Sequence, residues 1–145
     1  MPVNEFNIGN DWTIDLFDPL TGGAQSFSLV TGFSKQQNTT EVRSNALDGI
    51  TRIAHLPDTW NGTITIDRAN SAVDNYFAAR EEAYYQGRVQ PPCTITETVK
   101  EVNGGVTQWR YEGVSFTLSN GGNAQGKDKV EMSIDFIASR RLKVI

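Results

Sequence analysis

The side chains best suited to chemistry are His55 and Cys93, the single histidine and the single cysteine of the 145-residue chain. Together they could act as a base and a nucleophile. Each lies in a strand-like run, whereas a nucleophile is usually presented on a sharp turn. A serine triad of His55 with Asp58 or Asp67 fits the composition, but the G-x-S-x-G elbow is absent. The residues therefore favour a protein that is not an enzyme, with a small hydrolase using His55 as an alternative.

A glycine-rich segment at residues 121–127 matches most of the phosphate-binding pattern G-x-x-x-x-G-K-[ST]. Asp128 stands where that pattern needs a hydroxyl for magnesium, and a strand-like run follows in place of the required helix. We interpret the segment as a hairpin turn. Asp48, Asp67 and Asp74 lack the spacing of a calcium loop, and one histidine with one cysteine cannot build a zinc site. The sequence predicts no cofactor and no metal.

The composition narrows the class of partner. A net charge of −4 argues against a protein that grips phosphates, because such binding needs clustered Lys and Arg. No apolar run approaches the ~18 residues that span a bilayer, and the first ten residues lack both a basic region and a hydrophobic core. We expect a single soluble domain over residues 1–145, without a cleaved signal, a membrane contact or an internal disulfide.

The secondary-structure elements that must position these side chains are mostly strands. Alternating apolar residues and intervening turn residues predict strands at residues 12–17, 25–33, 50–56, 59–67, 93–102, 106–119 and 129–140. The first hairpin would turn at residues 18–23 and place Phe27, Leu29 and Phe33 on one face. The second would turn at Pro57-Asp58, and a third at residues 103–105. Trp109 and Tyr111 differ in parity from Val114 and Phe116, which indicates a bulge at Gly113.

The stretch at residues 71–86 is the one convincing helix. Its predicted apolar face is Ala72, Val73, Tyr76, Phe77, Ala79, Ala83 and Tyr84. Ser71 and Asp74 suggest a capping box, and Gly87 a stop. Arg80 lies within the apolar face, and we expect it to reach past the rings to water, or to pair with a carboxylate of a neighbouring subunit.

The fold class that follows is α+β, mainly β, with antiparallel sheets that form a sandwich or barrel and one packed helix. Residues 34–49 are strongly polar, and we interpret them as a long loop that either leaves the surface or reaches a partner.

Three stretches add a resemblance to a known family. They are Asp48-Gly49 after the polar stretch, residues 56–62 (LPDTWNG) before a strand ending in Asp67-Arg68, and residues 137–141 (IASRR). With the order of elements over residues 11–141, they make the chain similar to the tail tube proteins of tailed bacteriophages and to the type VI secretion tube protein. The resemblance carries over no catalytic residues.

The resemblance implies a structural subunit of a virion tail, assembled in the host cytoplasm. Hexameric rings would join their sheets into one β-barrel and stack into a tube. DNA would pass through this tube during genome ejection without specific binding, because an acidic lumen repels phosphates. The partners implied are further copies of the chain and, in addition, sheath, baseplate, tail terminator and tape measure proteins.

The same resemblance suggests site residues. Those expected to line the lumen are Thr63, Thr65, Asp67, Thr96, Thr98, Ser115, Thr117, Glu131, Ser133 and Asp135. The opposite faces of these strands should be buried, through Ile64, Ile66, Phe116, Leu118, Val130, Met132, Ile134 and Phe136. Contacts between subunits or rings are expected at Lys35, Glu41, Arg43, Asp48, Arg140 and Arg141.

Charge supports stacking of rings, because acidic residues crowd the beginning of the chain and basic residues its end. The acidic group is Glu5, Asp11, Asp15 and Asp18, and the basic group is Arg140, Arg141 and Lys143. The remaining alternatives are a type VI secretion-like tube subunit and a monomeric β-sandwich that binds carbohydrate on Trp12, Trp60 or Trp109.

Overall fold

A computed structural model describes residues 7–20, 23–25, 30–69 and 71–144. After a short 3₁₀ turn at Gly9–Asp11, the strands are β1 Trp12–Asp18, β2 Gly23–Gln25, β3 Val30–Asn45, β4 Thr51–Asp67, β5 Cys93–Lys100, β6 Val106–Asn120, β7 Glu131–Ala138 and β8 Arg140–Lys143. Helix α1 is Ala72–Tyr85. Within the described ranges no helix is long and apolar enough to cross a membrane. The predicted fold class, mainly antiparallel β with one helix, is confirmed.

The strands form two halves that share β6. Sheet A has the order β2-β1-β5-β6, with β8 on the other side of β6, and uses the first part of β6. Sheet B has the order β6-β7-β4-β3 and uses residues 115–120 of β6. All of these pairs are antiparallel, and β6 therefore passes from one sheet into the other.

The passage occurs at the predicted bulge. Cys93 pairs with Val114 and Ile95 with Tyr111, so Glu112 and Gly113 together oppose a single residue of β5. Gly113 has a φ of 65°, in the left-handed region that glycine tolerates best. The extra residue keeps one side of β6 facing the core through the bend. The change of parity seen in the sequence is confirmed.

One core lies between the two sheets. Its fully buried large side chains include Tyr111, Phe136, Ile64, Ile66, Ile95, Met132 and Ile134. Tyr111 of sheet A contacts Phe136 of sheet B with ring centroids 5.9 Å apart. The predicted buried face of sheet B is confirmed, with Phe116 and Leu118 partly buried against the core and Val130 half-buried beside it.

Helix α1 packs on this core through Val73 and Tyr76, and Ala83 farther along the helix is also buried. Its C-terminus confirms the predicted stop, because Gly87 has a φ of 74° and the amides of Gly87 and Arg88 donate to Tyr84 and Ala83. The expected capping box is wrong. Ser71 makes no side-chain cap, and the Asp74 carboxylate accepts from Arg68 at 3.0 Å. The predicted apolar face is also too wide, since Tyr84 is exposed.

The interpretation of residues 34–49 as a loop is wrong. They belong to β3 and to a five-residue turn, and β3 pairs with β4 as far as Asn45↔Thr51. The predicted turn at Pro57-Asp58 is wrong for the same reason: β4 is one continuous strand with a register shift there. Both faces of the two-stranded ribbon that β3 and β4 form here are exposed, so its sequence lacks the alternation that marks a half-buried strand. Of the predicted first hairpin, Phe27 and Leu29 lie outside the described residues.

Candidate assembly surfaces

The outer face of sheet B is polar and brings together eight of the ten residues expected to line a lumen. Thr63 pairs with Asp135, which pairs on its other side with Thr117, and the Thr63 hydroxyl donates to Asp135 Oδ1 at 2.9 Å. The neighbouring rows on the same face carry Thr65 with Ser133, Asp67 with Glu131, and Ser115. Cross-strand pairs thus turn scattered polar residues into one hydrophilic surface.

Thr96 and Thr98 do not belong to that surface. They lie on the outer face of sheet A, where Thr96 pairs with Asp15 and Arg110. The core separates the two outer faces, so both sets of residues cannot line one channel. Alternation along β5 showed which side of the strand is wet, but it carried no information about which sheet the strand would join.

The charges on the outer face of sheet B are mainly acidic. Asp67, Glu131 and Asp135 share the face, and Lys129 at its edge lies 3.3 Å from Asp67 Oδ1 and 3.8 Å from Glu131 Oε2. Sequence reasoning missed Lys129, and it also missed Ile137, which lies on this face between Asn61 and Ser115 with 57% of its surface exposed.

The two sheets differ in how their edges end. Within the described ranges β3 pairs along its length only with β4, and residues 115–120 of β6 pair only with β7. Sheet B therefore has two long open edges. Sheet A ends in β2, with three residues, and β8, with four that include Arg140, Arg141 and Lys143. Short edge strands, and charged ones such as β8, resist pairing with other chains, whereas longer open edges invite it.

The most exposed element is the arm, which we define as residues 39–57. Residues 60–67 of β4 pair with both β3 and β7, whereas among the described residues the arm part of β4 pairs with β3 alone. The arm and its turn carry exposed apolar side chains at Val42, Leu47, Ile50, Ile53 and Leu56. A ribbon of two strands buries little of its own surface.

The residues expected at contacts between copies divide into two groups. Glu41 and Arg43 lie on the arm and pair with each other, and Asp48 lies in its turn, where it binds Arg52. Arg140 is exposed opposite Glu112. All four side chains are exposed.

Lys35 and Arg141 are instead engaged inside the chain. Lys35 pairs with Glu97, which is fully buried and also accepts from Trp12 Nε1 at 2.8 Å and from the Tyr111 hydroxyl at 3.0 Å. Burial and the nearby Glu97 raise the pKa of Tyr111, so it stays protonated as a donor. This cluster joins β3, at the base of the arm, to sheet A.

The guanidinium of Arg141 lies over two tryptophan rings, 3.5 Å from the centroid of Trp109 and 4.5 Å from that of Trp60. This contact joins β8 to β4 at the base of the arm. With the Trp12 indole bound to Glu97, all three tryptophans have partners within the chain. Their engagement argues against a stacking platform for carbohydrate.

A second buried cluster joins α1 to β1. Arg80 donates to Asp18 Oδ2 at 2.7 Å and lies 3.4 Å from Cys93 Sγ, and Asp18 is 1% exposed. Burial acts to raise the pKa of Asp18, but hydrogen bonds from Arg80, Tyr76 and the Leu20 amide outweigh it and lower that pKa. Both expectations for Arg80, water or a neighbouring subunit, are wrong. No local signal could have found a partner 62 residues away.

The residues considered for catalysis do not come together. His55 lies on the arm opposite Glu41, whereas Cys93 is buried against Tyr76 and Arg80, with its pKa raised by burial. A Cys-His dyad would need the two side chains within hydrogen-bond reach. The glycine-rich segment at 121–127 connects β6 to β7, so no helix follows it.

No protein-family model matches the sequence, and no curated protein sequence matches it. Solved structures do match. A chain of the anti-feeding prophage cap, the AFP tube-terminating cap, aligns with a TM-score of 0.65 and 14% identity over 99% of this chain and 94% of that one. A chain of the sheath/tube terminator of the extracellular contractile injection system PVC gives 0.62 and 15% over 99% and 100%.

The SPP1 tail tube gives a TM-score of 0.61 and 17% identity over 94% of this chain and 77% of that one. At such identities the likeness establishes the fold. The resemblance drawn from the sequence is confirmed at that level: the chain has the tail tube fold, which these structures of phage and phage-like tails share.

Proposed function

We propose that the chain is a structural subunit of a phage or phage-like tail tube, and that rings of it stack into a hollow conduit. The observation that carries the proposal is the contrast between the edges of the two sheets. The open edges at β3 and at residues 115–120 belong to sheet B, while sheet A ends in the two short strands β2 and β8, of which β8 is cationic. A sheet with two open edges is completed by further copies of itself.

The direction of the strands supports a ring over a two-fold dimer. In sheet B the strands alternate in direction through the order β6-β7-β4-β3, which is an even number. Strand β3 of one copy therefore runs antiparallel to β6 of a copy related by simple rotation. Repeating that rotation continues the alternation around a barrel, whereas a two-fold pairing of β3 with β3 would leave both β6 edges open.

Six copies are the number we propose. The tail of the empty GTA particle, a chain of which aligns with a TM-score of 0.52, was refined with C6 symmetry. Four strands from each of six copies exceed the roughly 16 to 18 strands at which barrels enclose an aqueous channel. The lumen would be the outer face of sheet B, with Thr96 and Thr98 outside it, and Asp67, Glu131 and Asp135 would keep DNA from adhering.

The partners and the location that we propose match the tail assemblies to which the similar structures belong. Sheath, terminator and baseplate proteins would contact the tube, a tape measure protein would occupy it, and the tube would belong to a virion tail assembled in the host cytoplasm. The genome would pass through it. A type VI secretion-like tube would share the architecture with a protein cargo. A terminator would form rings that do not extend, so filament length separates it from a tube subunit.

Hydrogen exchange tests the ring. On assembly, the outward-pointing amides among residues 30–37 and 115–120, which alternate with amides that face β4 or β7, should exchange at least about tenfold more slowly, because each open edge gains a partner strand. The amides of β8 serve as the internal control and should change little. Native mass spectrometry of the same sample should give six copies. A monomer that persists at high concentration, with both edges exchanging rapidly, would contradict the proposal.

Labelling of introduced thiols tests which face lines the lumen. Cys93 is buried, so it leaves the background low. Thr117→Cys lies on the outer face of sheet B and Arg110→Cys on that of sheet A. In assembled tubes a polymer-coupled maleimide should modify Arg110→Cys readily and Thr117→Cys much more slowly, while a small maleimide should reach both. The reverse order would show that sheet A faces the channel.

A further inference from the structure

The base of the arm is tied to sheet A from both of its strands. On β3, the Lys35 ammonium pairs with the Glu97 carboxylate of β5. On β4, the Trp60 ring lies 4.5 Å from the guanidinium of Arg141 on β8. Lys35 and Trp60 project from the same face of sheet B, because Lys35 opposes Gly62, two residues along β4 from Trp60. Both strands are thus held just before the arm begins.

Tyr111 of β6 connects the two ties. Its hydroxyl donates to Glu97 Oε1 at 3.0 Å, and its ring lies 6.1 Å from the Trp60 ring, centroid to centroid. The Arg141 guanidinium lies 6.0 Å from the centroid of the same tyrosine ring, which is fully buried. Because a packed core side chain has little room to shift, displacing one tie would displace the other. We call Lys35, Trp60, Glu97, Trp109, Tyr111 and Arg141 the anchor network.

The arm itself has no comparable tie to the rest of the chain. Its two strands pair with each other and, among the described residues, with no further strand. Its ion pairs, Arg43 with Glu41 and Arg52 with Asp48, join residues of the arm and its turn to one another. These contacts hold the ribbon together, but they do not set its direction. The direction of the arm therefore depends on how its base is held.

The junction between base and arm is braced. Asn38 lies at a bulge between β3 and β4, and its amide donates to the Thr59 hydroxyl at 3.1 Å. A braced bulge bends the ribbon by a set amount, so the arm keeps one angle to the pair Gln37↔Trp60 at its base. Residues 37–45 span roughly 27 Å, so a tilt of roughly 10° at the base would move the tip by about 5 Å, the spacing of neighbouring strands.

Strand β8 provides a matched pair of arginines for testing the network. Arg141 opposes Tyr111 and faces inward, with its guanidinium 3.5 Å from the centroid of Trp109. Arg140 opposes Glu112 and is exposed on the other face. The two residues carry the same charge and are adjacent in the chain. A loss caused by removing charge from β8 would appear at both positions, whereas a loss of the anchor network would appear at Arg141 alone.

We propose that the anchor network is a positioning device, which sets the direction of the arm and of the open edge at β3 before a second copy binds. Lys35 and Arg141 then act on assembly through that direction and not as contacts between copies. An edge that is already in place loses less conformational freedom on binding. The effect on assembly rests on the tube function proposed above, whereas the fixed direction of the arm is a property of the single chain.

Distances between spin labels test the direction of the arm in the unassembled chain. Cys93 is buried, so the labels can be placed at Leu47→Cys in the turn of the arm and at Thr13→Cys on the outer face of sheet A. Double electron–electron resonance should give one narrow distance distribution with the network intact. Arg141→Gln should broaden it at least about twofold, because the arm can then tilt. Arg140→Gln should leave the width unchanged.

The tie on β3 should behave in the same way. Lys35→Met combined with Glu97→Gln removes the ion pair without leaving a buried charge. The introduced amide oxygen can still accept from Trp12 and Tyr111, which now donate to the carboxylate. The double variant should therefore broaden the distribution as Arg141→Gln does. A cooperative melting transition in each variant would show that the broadening comes from the arm and not from unfolding of the sandwich.

Assembly supplies a second readout. Arg141→Gln should need at least about tenfold more protein before rings appear, because the cost of ordering the arm is then met on binding. The rings that do form should match those of the wild type in electron micrographs, since no contact between copies has been removed. A side chain that contacted a second copy would instead change the rings themselves.

The outcomes separate the two proposals. A broad distribution in the wild type, an unchanged width in Arg141→Gln, or equal broadening in Arg140→Gln would overturn the positioning role, whether or not the chain assembles. Rings of Arg141→Gln at the wild-type concentration would overturn its effect on assembly. A wild-type chain that forms no rings would overturn the tube function, and the label distances would still decide whether the network fixes the arm.

Discussion

Replacing Arg80 with methionine is expected to lower the free energy of unfolding by about 3 to 5 kcal/mol. The substitution keeps most of the side-chain volume but leaves the Asp18 carboxylate buried without its counter-ion. Urea unfolding at neutral pH measures the loss. The double variant Arg80→Met with Asp18→Asn is the matched control and should recover part of it, because no charge is then buried.

The loss of stability in Arg80→Met should depend on pH in a definite direction. The pKa of Asp18 is lowered in the folded protein, so in the wild type its ion pair contributes stability above the unfolded value of 3.8, and this contribution is lost as the pH falls through the folded value. In the Arg80→Met variant the effect of burial is no longer offset by Arg80, so the pKa of Asp18 should rise. Protonation of Asp18 should then remove the unpaired buried charge and recover stability. The difference between the two proteins should shrink as the pH falls. A loss under about 1 kcal/mol, or one independent of pH, would contradict the buried pair.

Substituting Gly62 by alanine should be at least as damaging, at about 3 kcal/mol or more. A Cβ at Gly62 would lie 1.9 Å from the backbone oxygen of Ser34 and 2.9 Å from Phe136 Cζ. A backbone atom cannot move aside as a flexible side chain can, so β3 would have to separate from β4 at the base of the arm. We expect a lower melting temperature and loss of ring formation, because the separated strand is also the open edge.

Gly32→Ala is the control, on the same strand pair. Its Cβ would lie 3.5 Å from the Thr65 Cβ, an ordinary contact, so alanine should be neutral or slightly stabilising. Melting of the two variants side by side makes the comparison. Equal stability would show that the close approach of β3 and β4 at Gly62 is not required.

The sequence predicted elements wherever one face is buried and the other wet. Residues 129–140 alternate cleanly, and β7 lies there as expected. The parity change around Gly113 located the bulge, and the helix occupies nearly its predicted range. In each case local periodicity reports burial directly, which is why it sufficed.

The arm and the buried ion pairs could not be found that way. The arm has two exposed faces in the isolated chain, so its strands read as a polar loop. The partners Asp18–Arg80 and Lys35–Glu97 are each 62 residues apart and meet only when both sheets are in place. The eight residues on the outer face of sheet B were predicted to share a surface with Thr96 and Thr98, because alternation does not reveal where one sheet ends and the next begins.

The bend at Gly113 has a mechanical consequence. Strand β6 crosses it from sheet A into sheet B, and beside it the chain crosses back from β7 to β8 at Ser139, whose amide donates to the Glu112 carbonyl at 2.9 Å. Two covalent strands thus span the same corner in opposite directions. Tension applied to one sheet passes to the other along the backbone itself, so sheets A and B should move together as a single body.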